Sequence, residues 1–307
     1  GLDGPKAMAI TPDGMFLYVA ANKDDGVSVF GRDPNTGALH FVEFQKDGIN
    51  SVDGIANAYG IAISADGAHV YVTGKSVDSD GTLAVFRRDA LTGAMSFLEV
   101  EKDLVNGVSG LDKARGVAVS PDGKNVYVVG GKSDALVTFD RNPATGSLTF
   151  ARVDIDNTAG VNGLNGPVGI AVSSNGLQVY AMGDVDNSMA FFERDPATGM
   201  LMFVERKHDG VGSVDGLNNA AGVAVSPDNL TVYTTGFADD AVAVFRVRFC
   251  GDGVLETFPK LKVAHLESGC GWVPFWLERM DEHWEHESHG SARTTKEKPS
   301  FYFKRQC

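Results

Sequence analysis

The chain has 307 residues and a formal net charge of −13, with 43% hydrophobic and 22% charged residues. That is a globular composition and excludes a disordered or collagen-like chain, while the acidity argues against nucleic acid and anionic membranes as partners. No apolar run is long enough for a membrane-spanning helix, and no basic segment followed by an apolar one marks a secretory leader within this sequence.

A turn motif appears at Thr11-Pro-Asp-Gly14 and returns at Ser64-Ala-Asp-Gly67, Ser120-Pro-Asp-Gly123, Ser173-Ser-Asn-Gly176 and Ser226-Pro-Asp-Asn229, a period of about 53 residues. Behind each motif stands a tyrosine (Tyr18, Tyr71, Tyr127, Tyr180, Tyr233) and then a phenylalanine (Phe30, Phe86, Phe139, Phe192, Phe245). A second turn closes the first four units: Arg32-Asp-Pro-Asn-Thr-Gly37, Arg88-Asp-Ala-Leu-Thr-Gly93, Arg141-Asn-Pro-Ala-Thr-Gly146 and Arg194-Asp-Pro-Ala-Thr-Gly199. Pro, Asp and Gly sit where type I turns and left-handed residues need them.

In the third unit the stretches 116–120, 125–129, 135–140 and 147–153 are rich in Val, Phe and Tyr and bounded by turns, which predicts four short strands. A four-stranded unit at this period predicts β-propeller blades, with the five tyrosines at equivalent places. The fifth unit breaks after Phe245 and lacks the second turn and fourth strand. The expected architecture is therefore all-β, about five four-stranded blades with the last incomplete, over residues 1–249.

Residues 250–307 form a second segment of different composition. It holds every cysteine (Cys250, Cys270, Cys307) and every tryptophan (Trp272, Trp276, Trp284) of the chain. A small α/β or irregular appendage is expected, with a strand over 261–266 and a helix over 274–286. Its apolar stripe of Trp272, Trp276, Met280 and Trp284 is expected to dock or self-associate. One docking place is the unpaired edge of the fifth blade's third strand, 241–246.

The repeats resemble the lactonase-type seven-bladed β-propellers, related to the Tyr-Val-Thr-Asn repeat proteins. The resemblance rests on Gly116-Val-Ala-Val-Ser-Pro-Asp-Gly-Lys-Asn-Val-Tyr-Val128 and on Arg141-Asn-Pro-Ala-Thr-Gly-Ser-Leu-Thr-Phe150, and covers 1–248. It implies sugar-lactone hydrolysis for some members and no assigned activity for others. The tail, 253–307, resembles a fragment of the metal-dependent amidohydrolase and decarboxylase barrels, through Leu266-Glu-Ser-Gly-Cys-Gly-Trp-Val-Pro-Phe-Trp-Leu277 and Lys298-Pro-Ser-Phe-Tyr-Phe-Lys304. It spans too little of such a barrel to imply activity.

The turn aspartates (Asp13, Asp66, Asp122, Asp228) recur in every unit but the fourth, where Asn175 stands, and turn chemistry accounts for them. The loops between second and third strands are acidic as well, and with the linkers between units they are expected to emerge on one face. Asp24, Asp78, Asp134, Asp184 and Asp239 are the candidate metal ligands there, since hard oxygens from separate loops suit Ca²⁺ or Mg²⁺. No nucleophile elbow, P-loop or dinucleotide fingerprint is present, so acid–base work falls to carboxylates. Two functions follow. The first is a binding scaffold that presents an acidic loop face to a small molecule or protein. The alternative is a lactone or ester hydrolase with a divalent metal in the channel.

Overall fold

A computed structural model of the chain describes residues 1–247. The first blade is the sheet β1 (Pro5–Ile10), β2 (Phe16–Ala21), β3 (Gly26–Arg32) and β4 (Leu39–Lys46). The second is β5 (Ile61–Ile63), β6 (His69–Ser76), β7 (Ser79–Arg88) and β8 (Met95–Lys102). The third is β9 (Ala114–Val119), β10 (Asn125–Gly130), β11 (Ala135–Arg141) and β12 (Leu148–Ile155). The fourth is β13 (Pro167–Val172), β14 (Gln178–Gly183), β15 (Ser188–Arg194) and β16 (Leu201–His208). The fifth has three strands among the described residues: β17 (Ala220–Val225), β18 (Thr231–Gly236) and β19 (Ala241–Arg246). The four-stranded sheets run in sequence order, each strand antiparallel to the next, and Gly1–Phe245 form one compact unit. The appendage, its 261–266 strand and 274–286 helix, and the amidohydrolase-like stretch lie outside the described residues.

Register makes the repeats equivalent. Tyr18, Tyr71, Tyr127, Tyr180 and Tyr233 pair with Ala9, Ala62, Ala118, Ala171 and Ala224 of the first strands. Tyr18, Tyr71 and Tyr127 are wholly buried, each packing against the following blade, and Tyr180 is nearly so. Tyr233 is 43% exposed, because no sixth blade stands beside it among the described residues. Burying one such ring is worth about 1.5–3 kcal/mol. Edge-on phenylalanine pairs such as Phe86–Phe97, with centroids 5.6 Å apart, tie the third strand to the fourth.

The second turns of the second, third and fourth blades reach back to the blade before. Arg141, 5% exposed, donates from Nε to the Tyr71 hydroxyl (2.6 Å), from Nη1 to the Gly123 carbonyl (2.8 Å) and from Nη2 to Asp66 (3.0 Å). Arg194 repeats this with Tyr127 (2.7 Å), the Gly176 carbonyl (3.0 Å) and Asp122 (2.9 Å). Arg88 pairs with Asp13 (2.9 Å). The tyrosine hydroxyls donate in turn to the Gly93, Gly146 and Gly199 carbonyls. Turn chemistry is thus only part of what these aspartates do: they also hold the next blade's buried guanidinium. Burial pushes the Asp66 carboxyl upward, but hydrogen bonds from Ser64, the Ala68 amide and Arg141, together with the Arg141 charge, outweigh it and hold it at about 2. Burial also pushes the Tyr71 phenol up to about 12.

The fourth-to-fifth junction departs from this plan. Asn175 replaces the aspartate, and Val247 stands two residues after Phe245, the place of the arginine in the other blades. There the Ser174 hydroxyl lies 2.9 Å from both the Pro227 carbonyl oxygen and Asn229 Oδ1 and shares its one proton between them.

Candidate functional site

The first strands of successive blades lie side by side and form the inner wall. Four of them start with a bulge: register slips between Pro5 and Ala7, Ala114 and Val117, Pro167 and Gly169, and Ala220 and Val223. Counting from the alanine that pairs with each tyrosine, Lys6, Tyr59, Arg115, Val168 and Ala221 occupy the same position. One residue per blade therefore borders the channel at the end where the linkers enter.

The residue after this position is glycine in four blades, for a steric reason. A Cβ on Gly60 would stand 2.2 Å from the Arg115 carbonyl oxygen, and one on Gly169 2.2 Å from that of Ala221. At Gly60, Gly116 and Gly169 the inner strand is pressed against the next, which fixes the spacing of the neighbouring ring side chains. The Thr73 hydroxyl, donating to the Arg115 carbonyl at 2.5 Å, pins the same contact.

Three of the five side chains meet. The Lys6 ammonium lies 5.8 Å and the Arg115 guanidinium 5.9 Å from the centre of the Tyr59 ring. Both are within cation–π range. Arg115 fits because Gly131 leaves room: a Cβ there would stand 2.8 Å from its Nε. Asp184, from the β14–β15 loop, brings a carboxylate oxygen to 3.8 Å from Arg115 Nη1, an ion pair too long for a hydrogen bond. The Arg115 side chain is partly open to solvent, 25% exposed.

The five aspartates expected as metal ligands lie on the linker face, yet the structure does not gather them. Asp24 accepts the Asp3 amide (2.7 Å), which with the N-terminal amine holds its carboxyl below the usual range. Asp78 is taken by Lys102 (2.8 Å) and the Ser76 hydroxyl, which lower it likewise. Asp134, in the left-handed region at φ 51°, accepts the Gly166 amide (2.8 Å). Asp184 faces Arg115, and Asp239 accepts the Asn218 amide (2.9 Å). Such bonds are systematic. Asp25, Asp134 and Asn187 each hold an amide of the next linker, and Asp47, Asp103, Asp156 and Asp209 each hold an amide eight residues ahead.

Among the described residues, Asp239 alone of the five joins a group that could hold a metal. Its oxygens and those of Asp209 and Asp215 lie within 4.8 Å of one another. Each carboxylate gives one oxygen to a backbone amide, from Leu217, Gly216 and Asn218, and keeps the other. That hard donor set fits Ca²⁺ or Mg²⁺. At the corresponding place in the second blade Lys102 supplies the positive charge, 2.8 Å from both Asp53 and Asp78. None of the three described histidines is on the ring: His40 lies on β4, His69 in the arginine latch and His208 at the end of β16.

Lys6, Tyr59 and Arg115 belong to none of the turn or strand motifs of the repeat. Their signal is a column of the repeat, Lys-Ala, Tyr-Gly, Arg-Gly, Val-Gly and Ala-Gly at the start of each inner strand, whose leading residue changes while a small residue follows it each time.

Comparison with known proteins bears on this geometry. The chain is similar in structure to a protein from Bacteroides uniformis provisionally assigned as a 6-phosphogluconolactonase, with a TM-score of 0.63, 20% identity, and coverage of 81% of this chain and 69% of that one. A Lactobacillus plantarum protein gives a TM-score of 0.63 at 18% identity, covering 79% and 67%. The periplasmic gluconolactonase of Pseudomonas aeruginosa gives 0.51 at 21% identity, covering 79% and 81%. No curated protein matches the chain. The model of the lactonase family of seven-bladed β-propellers matches residues 1–53, 45–162 and 156–257, and on that match the chain belongs to this family.

Proposed function

We propose that this propeller hydrolyses lactones of sugar acids at the channel mouth. The observation that carries the reading is the lactonase family match along all five blades. Structural neighbours named as gluconolactonase and, provisionally, as 6-phosphogluconolactonase support it. Opening a lactone needs a base to take a proton from water and a cation where negative charge grows on the carbonyl oxygen. Asp184 and Arg115 supply the two together. Water adds to the carbonyl carbon as Asp184 takes its proton. The ring C–O bond then breaks, and the proton passes to the departing alkoxide, leaving the hydroxy acid. Tyr59 offers an aromatic face for the sugar ring.

Asp209, Asp215 and Asp239 would hold a divalent cation, which would supply a fixed positive charge on the linker face. The test is ring opening of δ-gluconolactone, followed by acid release, with and without chelator, for the chain and for Asp184→Asn. Hydrolysis that falls about a hundredfold or more in the variant supports the reading. A chain inactive on a panel of sugar lactones refutes it and returns the protein to a binding scaffold. The acidic face would serve that role poorly, since so many of its carboxylates are already bonded to backbone amides.

A further inference from the structure

The junctions among the first four blades are each tied twice. A buried apolar cluster joins the first blade to the second, the second to the third and the third to the fourth. At each junction an arginine of the later blade also crosses to the earlier one: Arg88 to Asp13, Arg141 to Asp66 and Arg194 to Asp122. Among the described residues the fourth and fifth blades share neither tie. Asn175 and Val247 stand at the two latch positions, and no buried apolar cluster spans the junction.

The rest of the latch is still present on the fourth blade. Tyr180 and Gln178, 3% and 7% exposed, take the places of Tyr127 and Asn125, both of which bond Arg194. Here the Tyr180 hydroxyl and Gln178 Oε1 are buried without a hydrogen-bond partner. So is the Thr234 hydroxyl, which points from β18 opposite to Tyr233 and therefore toward the fourth blade. Burying a polar group unpaired is unfavourable, and parting the two blades returns all three to water. Little opposes it: the Ser174 hydroxyl at the turns, the Asn219 amide donating to Asn187 (2.8 Å), and the close approach of Gly169 to the Ala221 carbonyl.

We propose that the fifth blade is a hinged gate, parting from the fourth as one unit on the linker 209–219 while the first four blades stay joined. Subglobal openings of this kind draw on the least tied element of a fold. Val168 and Ala221 border the channel on either side of this junction, so parting opens the channel wall between them. Lys6, Tyr59, Arg115 and Asp184 belong to the first four blades and keep their geometry. A ligand thereby gains a route into the channel from the apolar side. The inference concerns the fold and stands or falls independently of the lactonase reading.

Native-state hydrogen exchange on the full chain, read by mass spectrometry at low urea concentrations, tests it. The first blade is the control, because it is also bare on one side among the described residues, with Met8 70% and Phe41 61% exposed, yet is latched to its neighbour. Amides of β17 and β18 should exchange at least about tenfold faster than those of β1 and β2, and should share one urea dependence, shallower than that of global unfolding. Asn175→Asp combined with Val247→Arg supplies the latch pair and should bring the fifth blade to within about threefold of the first. Val247→Arg alone, which buries a guanidinium without its carboxylate, should not. Equal exchange in the two blades overturns the inference, as does exchange graded from strand ends inward, which is fraying rather than opening of a unit. A double variant that folds and leaves the fifth blade's exchange unchanged overturns it too. The comparison of the two blades needs no variant and decides even where the double variant does not fold.

Discussion

Replacing Arg141 with methionine should separate the second and third blades. Methionine keeps much of the aliphatic packing of the stem and removes the guanidinium. Four contacts vanish at a buried place: to the Tyr71 hydroxyl, the Gly123 carbonyl, Asp66 and His69 Nδ1. A buried polar group left without a partner costs about 1–3 kcal/mol. Tyr71 still donates to Gly146, so its oxygen loses an acceptor role only, and the Gly123 carbonyl loses the side-chain donor. The Asp66 side chain is 44% exposed and rehydrates, so its share is at most about 1 kcal/mol. The expected destabilisation is about 3–4 kcal/mol, read as a lower urea midpoint with an unchanged m-value. Arg87→Met, one residue before the equivalent arginine and facing solvent, should cost less than about 0.5 kcal/mol. A loss below about 1 kcal/mol for Arg141→Met, or equal losses for both variants, would refute the latch as a source of stability.

Other expectations concern pH, metal and the ring. Burial, followed by the Arg141 charge, lowers the His69 pKa from its ordinary 6.5, and its Nδ1 lies 2.9 Å from an Arg141 nitrogen that can only donate. The folded ring therefore stays neutral while the unfolded one binds a proton, so this part of the stability is present above about pH 6.5 and is lost as pH falls below it. His69→Asn should flatten that dependence, because Asn125 already fills the same place opposite Arg194 (2.6 Å); melts from pH 7 to 5 check it. Asp66 acts lower, its contribution fading from about pH 3.8 toward 2, and Asp66→Asn should remove that acid limb. Millimolar Ca²⁺ should raise the melting midpoint, and Asp239→Asn should abolish the rise; an unchanged midpoint for the parent chain would reject the Asp209, Asp215 and Asp239 site. Gly60→Ala should cost about 1–3 kcal/mol by pushing the Arg115 carbonyl away, seen in the same urea assay.

The blades were legible in the sequence because their information is local. Pro, Asp and Gly at fixed offsets state the turns, alternating Val, Phe and Tyr state the strands, and a period near 53 says that the same sheet is built again. What joins one blade to the next was not legible in the same way. The residues of the latch were all in view, yet Arg141 and Asp66 lie 75 positions apart, and only the register of two sheets brings the second turn of one blade over the first turn of the previous one. The acidity of these loops has a structural cause of the same kind. Loops that turn sharply favour Asp and Asn both for the left-handed conformation of Asp25, Asp134, Asn187 and Asp240 and for their reach to a neighbouring amide. A row of aspartates at loop tips therefore reports loop construction before it reports ligand binding.

In a repeat protein the informative departures are those that leave the backbone unchanged. The pair Asn175 and Val247 departs where a latch would be, and its effect is structural: a charge pair is replaced by the hydroxyl contact of Ser174. The ring position departs differently. Its backbone is held by a bulge in four blades and by a glycine pressed against the next strand at Gly60, Gly116 and Gly169, while its side chain runs through Lys6, Tyr59, Arg115, Val168 and Ala221. No folding requirement asks for different side chains at one register on one wall, since Val168 and Ala221 satisfy the same geometry with no polar group. The fold supplies a ring of equal places, and the three blades that fill theirs with a cation, an aromatic face and a second cation make one side of the channel chemically unlike the other. On the lactonase reading proposed above, that asymmetry would give a sugar a direction and would set its carbonyl, rather than its far end, against Asp184 and Arg115.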